Sequence, residues 1–257
     1  MIEYSVVKSL LKKTEGIVIR TTDYAESDVI ITLYSKQIGK VGMLARGAKK
    51  PNNRLASVSQ LFTYGNYLFR HTRGLGTLSQ GEIIDSFRGI REDLYKTAYA
   101  AYIAELTDKL TDDFVPSSAL FDLLYHSLRF INENYDAQVV SFIYATKMLA
   151  FAGISPQLER CAVCGRSEAA FFRFSIKEGG FLCRSCEDDD PHSLRVSHAV
   201  AKLLKLFLNM DIKRLGTISL KRSTREEINQ VLTLYYDTYS GLHLKSKKFL
   251  EQLSSFQ

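Results

Sequence analysis

The chain's four cysteines fall into two pairs, Cys161-Ala-Val-Cys164 and Cys183-Arg-Ser-Cys186, with 18 residues between them. A Cys-x-x-Cys knuckle turns two thiolates toward one ion, and two knuckles on facing turns complete a tetrahedron. Gly165 follows the first knuckle and Gly179-Gly180 precedes the second, which supplies the tight turns. Residues 171–177 between them read as a strand. This spacing predicts a zinc-ribbon-like hairpin holding one Zn2+ through Cys161, Cys164, Cys183 and Cys186. Four sulfurs leave no open coordination position, so the ion is expected to be structural and not catalytic. A thioredoxin-type role wants a single knuckle opening a helix in a βαβ unit, and that context is absent. The hairpin's arginines and lysines are matched by its acids, including the run Glu187-Asp188-Asp189-Asp190, so it reads as a staple and not as a nucleic-acid grip. His192 and His198 read as surface or capping residues.

The second chemically suggestive stretch is 39–54, GKVGMLARGAKKPNNR. It carries Lys40, Arg46, Lys49, Lys50 and Arg54 with no acid among them. A solvated loop explains an isolated basic run, but cations this close repel one another unless a polyanion neutralises them. The charge distribution favours the polyanion. The whole chain carries +6; residues 1–80 hold twelve basic and five acidic side chains, so the excess lies in that third and the remainder is −1. Nucleic acid or an anionic surface is the implied partner. Candidate phosphate contacts are Lys36, Lys40, Arg46, Lys49, Lys50 and Arg54, with Arg70 and Arg73 behind them. Tyr64 and Tyr67 would either stack on bases or fill a core.

These residues need elements to hold them. Residues 1–13 read as a helix, an arm or an extension. From Thr14 short β-branched runs follow one another: 16–22, 28–35, 40–46, a longer aromatic run 60–71 with a bulge or sharp coil expected at Gly65, and 76–86. Five short strands in about 75 residues match a small closed barrel, and the five-stranded OB-fold is the commonest that fits. Its ligand face, strands 2 and 3 with their flanking loops, would carry the basic cluster. After Arg91 the period becomes helical: 91–110, 118–134, an almost wholly apolar 138–152 that should be central, then 197–209, 224–239 and 245–254. Thr224-Arg225-Glu226-Glu227 has capping-box spacing. Tyr95, Tyr99 and Tyr102 form a row that belongs either to the core edge or to a stacking platform. The expected class is α+β multidomain: an extension (1–13), an OB-fold barrel (14–88), and a helical domain (89–158 and 192–257) interrupted by the zinc-ribbon-like insertion (159–191).

No phosphate-loop, zincin, nucleophile-elbow or dinucleotide-binding motif is present, which moves weight from enzyme to binding protein. No apolar run reaches membrane length and no signal peptide is legible, so a cytoplasmic location is expected. Composition alone leaves open an RNA-binding barrel protein and a metal-dependent nucleic-acid enzyme.

Particular stretches carry a resemblance: Glu15-Gly16-Ile17-Val18 with Asp23-Tyr24, Gly39-Lys40, Ala45-Arg46-Gly47-Ala48-Lys49-Lys50-Pro51, and Gly74-Leu75-Gly76-Thr77-Leu78. Further along come Gly89-Ile90-Arg91-Glu92-Asp93-Leu94, Ala98-Tyr99-Ala100-Ala101-Tyr102 and Tyr239-Ser240-Gly241-Leu242. From about Leu11 to the end the chain resembles the RecO family of bacterial DNA repair and recombination mediators, its Gram-positive, zinc-containing branch most closely. The resemblance implies a protein without catalytic residues that binds single- and double-stranded DNA and anneals complementary strands. It implies binding to the C-terminal tail of single-strand binding protein and, with RecR, help in loading RecA, at the nucleoid during repair. It also implies that the zinc is structural.

Overall fold

β-Branched and aromatic side chains at alternate positions build the first half of the molecule. In a computed structural model of the chain, residues 10–71, 74–167 and 171–254 are described. The strands are β1 (Leu10–Tyr24), β2 (Asp28–Ser35), β3 (Gly39–Ala45), β4 (Tyr64–His71) and β5 (Gly76–Asp85), with a short helix α1 (Arg54–Val58) between β3 and β4. They pair in the order β1-β2-β3-β5-β4, and β4 returns to β1 to close the barrel. Every pairing is antiparallel except the short parallel β3–β5 closure. Val18, Ile31, Leu33, Val41, Met43, Tyr67, Phe69 and Leu78 fill its interior, and Val58 of α1 packs on them.

β1 starts earlier than its sequence suggests. Leu10 to Lys13 pair with β4, from Leu10 opposite His71 to Lys13 opposite Leu68, so the extension read over 1–13 is strand from residue 10 on. Residues 1–9 lie outside the described part. β4 is shorter than the run 60–71: residues 60–63 form a turn, and the register shift against β5 at Tyr64/Gly65 is the expected bulge. The bulge needs a residue without a side chain, because a Cβ on Gly65 would sit 2.4 Å from the Glu82 carbonyl oxygen.

The helices are α2 (Arg88–Arg91), α3 (Leu94–Leu110), α4 (Ser118–Asn132), α5 (Ala137–Phe151), α6 (His198–Asn209), α7 (Arg222–Tyr239) and α8 (Lys245–Ser254). Asp93, Asp136 and Ser197 cap α3, α5 and α6 by accepting from backbone N–H groups of their first turns. The capping box expected at Thr224 is absent, since α7 already begins at Arg222. Glu227 instead reaches across to accept from the Ser197 backbone N–H at 2.7 Å, at the start of α6. α5 is buried on nearly all sides, as its composition requires. A small sheet ordered β7-β6-β8 (β6 Arg173–Ser175, β7 Gly180–Leu182, β8 Leu194–Arg195) lies beside the cysteines: Cys183 follows β7 directly, and the Ala162 N–H next to Cys161 donates to the Phe181 carbonyl.

Two compact units result, divided between Asn132 and Glu133. The first joins the barrel to α2–α4, and the second joins α5–α8 to the cysteine-bearing sheet. Helices assigned to one domain by sequence are thus shared between two units.

Candidate nucleic-acid interface and metal centre

Sequence placed the cations on one barrel face; the structure sorts them by what they already touch. Lys40 is only 15% exposed at its side chain. Its Nζ donates to the carbonyl oxygens of Asp108 at 2.7 Å and Thr111 at 2.6 Å, and lies 3.5 Å from the Asp113 carboxylate. It serves as the C-terminal cap of α3. Arg20, which sequence reasoning passed over, joins the same knot: Nη1 is 3.3 Å from the buried Asp108 carboxylate, and Nε and Nη2 donate to Thr32. Nothing in the local sequence signals this, because Arg20 and Asp108 lie 88 residues apart. Lys36 is exposed but lies 3.4 Å from Asp122 and over the Phe121 ring.

The connection after α3 lies along β3. The Phe114 N–H donates to the Lys40 carbonyl, and a Cβ on Gly39 would meet the Val115 backbone at 2.4 Å. Between this connection and strands β1–β3 runs a groove of about 560 Å3, lined by Arg20, Thr32, Lys40, Gly42, Leu75, Asp108, Lys109, Asp113 and Phe114. On β1–β3 and the β2–β3 turn, Arg20, Lys36 and Lys40 are therefore each paired with an acid of the same unit.

A cluster of charge with no acid beside it among the described residues follows the end of β3. Arg46, Lys50 and Arg54 are exposed and have no acidic partner among the described residues. The loop that carries them is held by its backbone. Gly47 N–H donates to Asp28 Oδ1 at 2.7 Å, Lys49 N–H to the Ser27 carbonyl at 3.0 Å, and Lys50 N–H to the Gly47 carbonyl at 2.9 Å. Gly47 adopts φ +67°, which favours glycine, and Asn53 caps α1 while its Nδ2 donates to the Arg46 carbonyl. Lys49 pairs with Asp23 at 2.9 Å, where the acidic β1–β2 turn meets the basic loop. Arg70 is exposed at the end of β4 opposite Leu11; Lys13, two residues on, shares its outward face and extends the basic surface. Arg73 lies outside the described residues.

The two barrel tyrosines have structural partners. Tyr67 is fully buried and its hydroxyl donates to the Val58 and Thr63 carbonyls; burial raises its pKa. Tyr64 donates to the Glu15 carboxylate and packs against Tyr125. On α3, Tyr99 is buried against Tyr95, with ring centroids 4.8 Å apart.

In the second unit the cysteines converge as their spacing requires: all four sulfurs lie within 4.8 Å of one another. A tetrahedral ion with sulfur ligands at about 2.3 Å needs sulfurs about 3.8 Å apart, so the cluster fits a metal ion with little adjustment. The first knuckle closes with Gly165 N–H donating to the Cys161 carbonyl at 2.9 Å. The second opens a 3-10 turn over Arg184–Asp189. Burial opposes ionisation of Cys161, but backbone N–H groups of Cys164, Cys183 and Val163 at its sulfur outweigh it and bring the thiol down to about 6. Burial pushes Cys183 and Cys186 up. Four crowded, mostly buried sulfurs can all ionise only around a cation. The sheet beneath is fastened to α7, with Phe174 against Phe181 and Tyr235 and the Tyr239 hydroxyl donating to the Ile176 carbonyl at 2.6 Å.

A closed OB-type barrel, followed by helices with a four-cysteine cluster between α5 and α6, defines the class of this protein. Two family models divide the chain between them: Recombination protein O N terminal over residues 9–87 and Recombination protein O C terminal over residues 91–248. The chain belongs to the RecO family, and with it to proteins of DNA repair and recombination. It is 52% identical over 248 residues to a DNA repair protein RecO of Bacillus pumilus, covering 96% of each chain. The protein of that name from Bacillus mycoides is 51% identical over 96% of this chain and 100% of its own. The one from Halalkalibacterium halodurans is 50% identical, covering 96% of each. No described helix is long and apolar enough to cross a membrane.

Proposed function

We propose that this protein is a non-enzymatic, cytoplasmic mediator that binds single- and double-stranded DNA on the end of its barrel and anneals complementary strands. The carrying observation is the backbone-held loop presenting Arg46, Lys50 and Arg54 without acidic partners among the described residues. Cations held apart by a rigid loop exchange weakly bound counterions for phosphates at little ordering cost, so binding follows salt and not base sequence. Lys49 joins them once phosphate displaces Asp23, and Arg70 and Lys13 extend the track along β1 and β4. Lys36 is a weaker contact, and Lys40 holds the loop's strand in place instead of touching DNA. Two strands neutralised on one surface repel each other less, which promotes annealing. Family membership supports action with RecR and with the tail of single-strand binding protein, leading to RecA loading at the nucleoid.

The cluster's ion is proposed to be Zn2+; when bound it cross-links the two knuckles. Cys161, Cys164, Cys183 and Cys186 hold it, and the sheet β6–β8 orients them.

The test is annealing of complementary oligonucleotides coated with single-strand binding protein, across a salt series, for the wild type and an Arg46→Ala, Lys50→Ala, Arg54→Ala triple variant. Fast annealing that collapses in the variant and at high salt supports the proposal. Annealing unchanged in the variant removes the loop from the interface. Single-stranded RNA that displaces DNA at equal concentration would favour an RNA-binding role.

A further inference from the structure

The four sulfurs of the metal cluster are not equally protected. Cys161, Cys183 and Cys186 are buried, whereas Cys164 is exposed. Its neighbours Val163, Gly165 and Arg166 are exposed as well, so the first knuckle is open to solvent. The Cys164 sulfur lies 3.5 Å from that of Cys183 on the other knuckle. A metal-bound cysteine is a thiolate, and oxidation of thiols follows thiolate character and access.

We propose that Cys164 is an oxidation site, and that hydrogen peroxide acting there joins it to Cys183 and expels the metal. The inference rests on the reading of the cluster as a metal site. In the first step the Cys164 thiolate attacks a peroxide oxygen: an S–O bond forms, the O–O bond breaks, and hydroxide leaves. Sulfur loses two electrons and the peroxide gains them. The Cys183 thiolate then attacks the Cys164 sulfur, forming S–S and breaking S–O, and a second hydroxide leaves. Two protons from solvent turn both hydroxides into water. The ion, left with two of its four ligands, dissociates with its oxidation state unchanged. Because the bond joins one knuckle to the other, it blocks rebinding until a thiol reductant reverses it. Repair protein made under oxidative stress would then carry a record of that stress in its second unit, while the barrel, which has no cysteine, is chemically untouched.

The full-length zinc-loaded protein is titrated with hydrogen peroxide in the presence of a chromogenic zinc chelator, and the thiols are mapped by alkylation and mass spectrometry. The expected result is one zinc released per peroxide consumed, a Cys164–Cys183 cross-linked peptide as the first product, and recovery of zinc binding after dithiothreitol and added zinc. Zinc retained until peroxide has oxidised an equal concentration of glutathione overturns the proposal, as does a first cross-link that omits Cys164. A Cys164→His variant keeps four ligands without the exposed sulfur. It should hold zinc and release it more slowly, and release as fast as the wild type's would also overturn the proposal. Protein that neither contains nor takes up zinc overturns the metal reading and this inference with it.

Discussion

Lys40 and Lys50 are ten residues apart, carry the same charge and do different work. Lys40 spends its three donors on carbonyls at the end of α3 and on acids, while Lys50 reaches solvent with no acid beside it among the described residues. Lys40→Met should therefore lower stability by roughly 1–3 kcal/mol, because it strands carbonyl acceptors and leaves Asp108 to Arg20 alone. A thermal melt reads that loss, with DNA affinity measured on the folded variant unchanged. Arg46→Ala, Lys50→Ala and Arg54→Ala should do the reverse, leaving the melt in place and weakening DNA binding. If each contacts one phosphate, the slope of log affinity against log salt should shrink by about 2 for single strands. Asp136 gives a pH-dependent counterpart. Burial alone would raise its pKa, but the paired bonds from Arg225, at 3.1 and 2.6 Å, and the Val139 N–H outweigh it and hold the carboxyl below its usual range. A depressed folded pKa stabilises above the unfolded value of about 3.9, and the contribution is lost as pH falls through the lower folded value. Asp136→Asn should therefore cost stability at neutral pH and flatten the acid limb of a denaturation profile below about pH 4.

Some helix ends in this protein are satisfied by side chains from distant elements, alongside the local caps. Lys147 on α5 donates to the Leu208 carbonyl near the end of α6, much as Lys40 does for α3; burial lowers its pKa. Glu227 of α7 supplies an acceptor at the start of α6. Removing it by Glu227→Ala should cost about 1 kcal/mol, read as earlier urea unfolding of the second unit, whereas Glu226→Ala on the exposed neighbour should be close to neutral. Strand connections are equally constrained. Gly39→Ala would need φ +80° and place its Cβ against the Val115 backbone, so it should destabilise the barrel more than a surface Gly→Ala change.

The cysteine cluster and the barrel lie in separate compact units, and removal of an ion bound by the cluster should therefore have a local signature. A structural zinc contributes on the order of 10 kcal/mol of binding free energy in small domains. Chelation should thus abolish hydrogen-exchange protection in β6, β7 and the two knuckles while β1–β5 keep theirs. Loss of protection across the barrel as well would show that the units are not independent. The +7 carried by residues 1–80 lies in the first unit, so salt should weaken DNA binding to the same degree with or without the metal.

Local chemistry was legible in the chain. The Cys-x-x-Cys spacing specifies a four-sulfur site because the knuckle itself aims both thiolates, and alternation of β-branched residues specifies strands because side chains in a strand alternate between faces. The barrel, the central α5 and the bulge at Gly65 follow from such short-range rules. Which cations remain free could not be read the same way. Lys40 and Arg46 are alike in sequence, and only the return of α3, some 70 residues later, brings carbonyls and Asp108 to one of them. The start of β1 at Leu10 likewise depends on β4 being there to pair with it, and Glu227 reads as the end of a capping box until α6 takes its carboxylate. Spacing along the chain decides what a residue can do; the neighbours that folding brings from far away decide which of those things remain available to it.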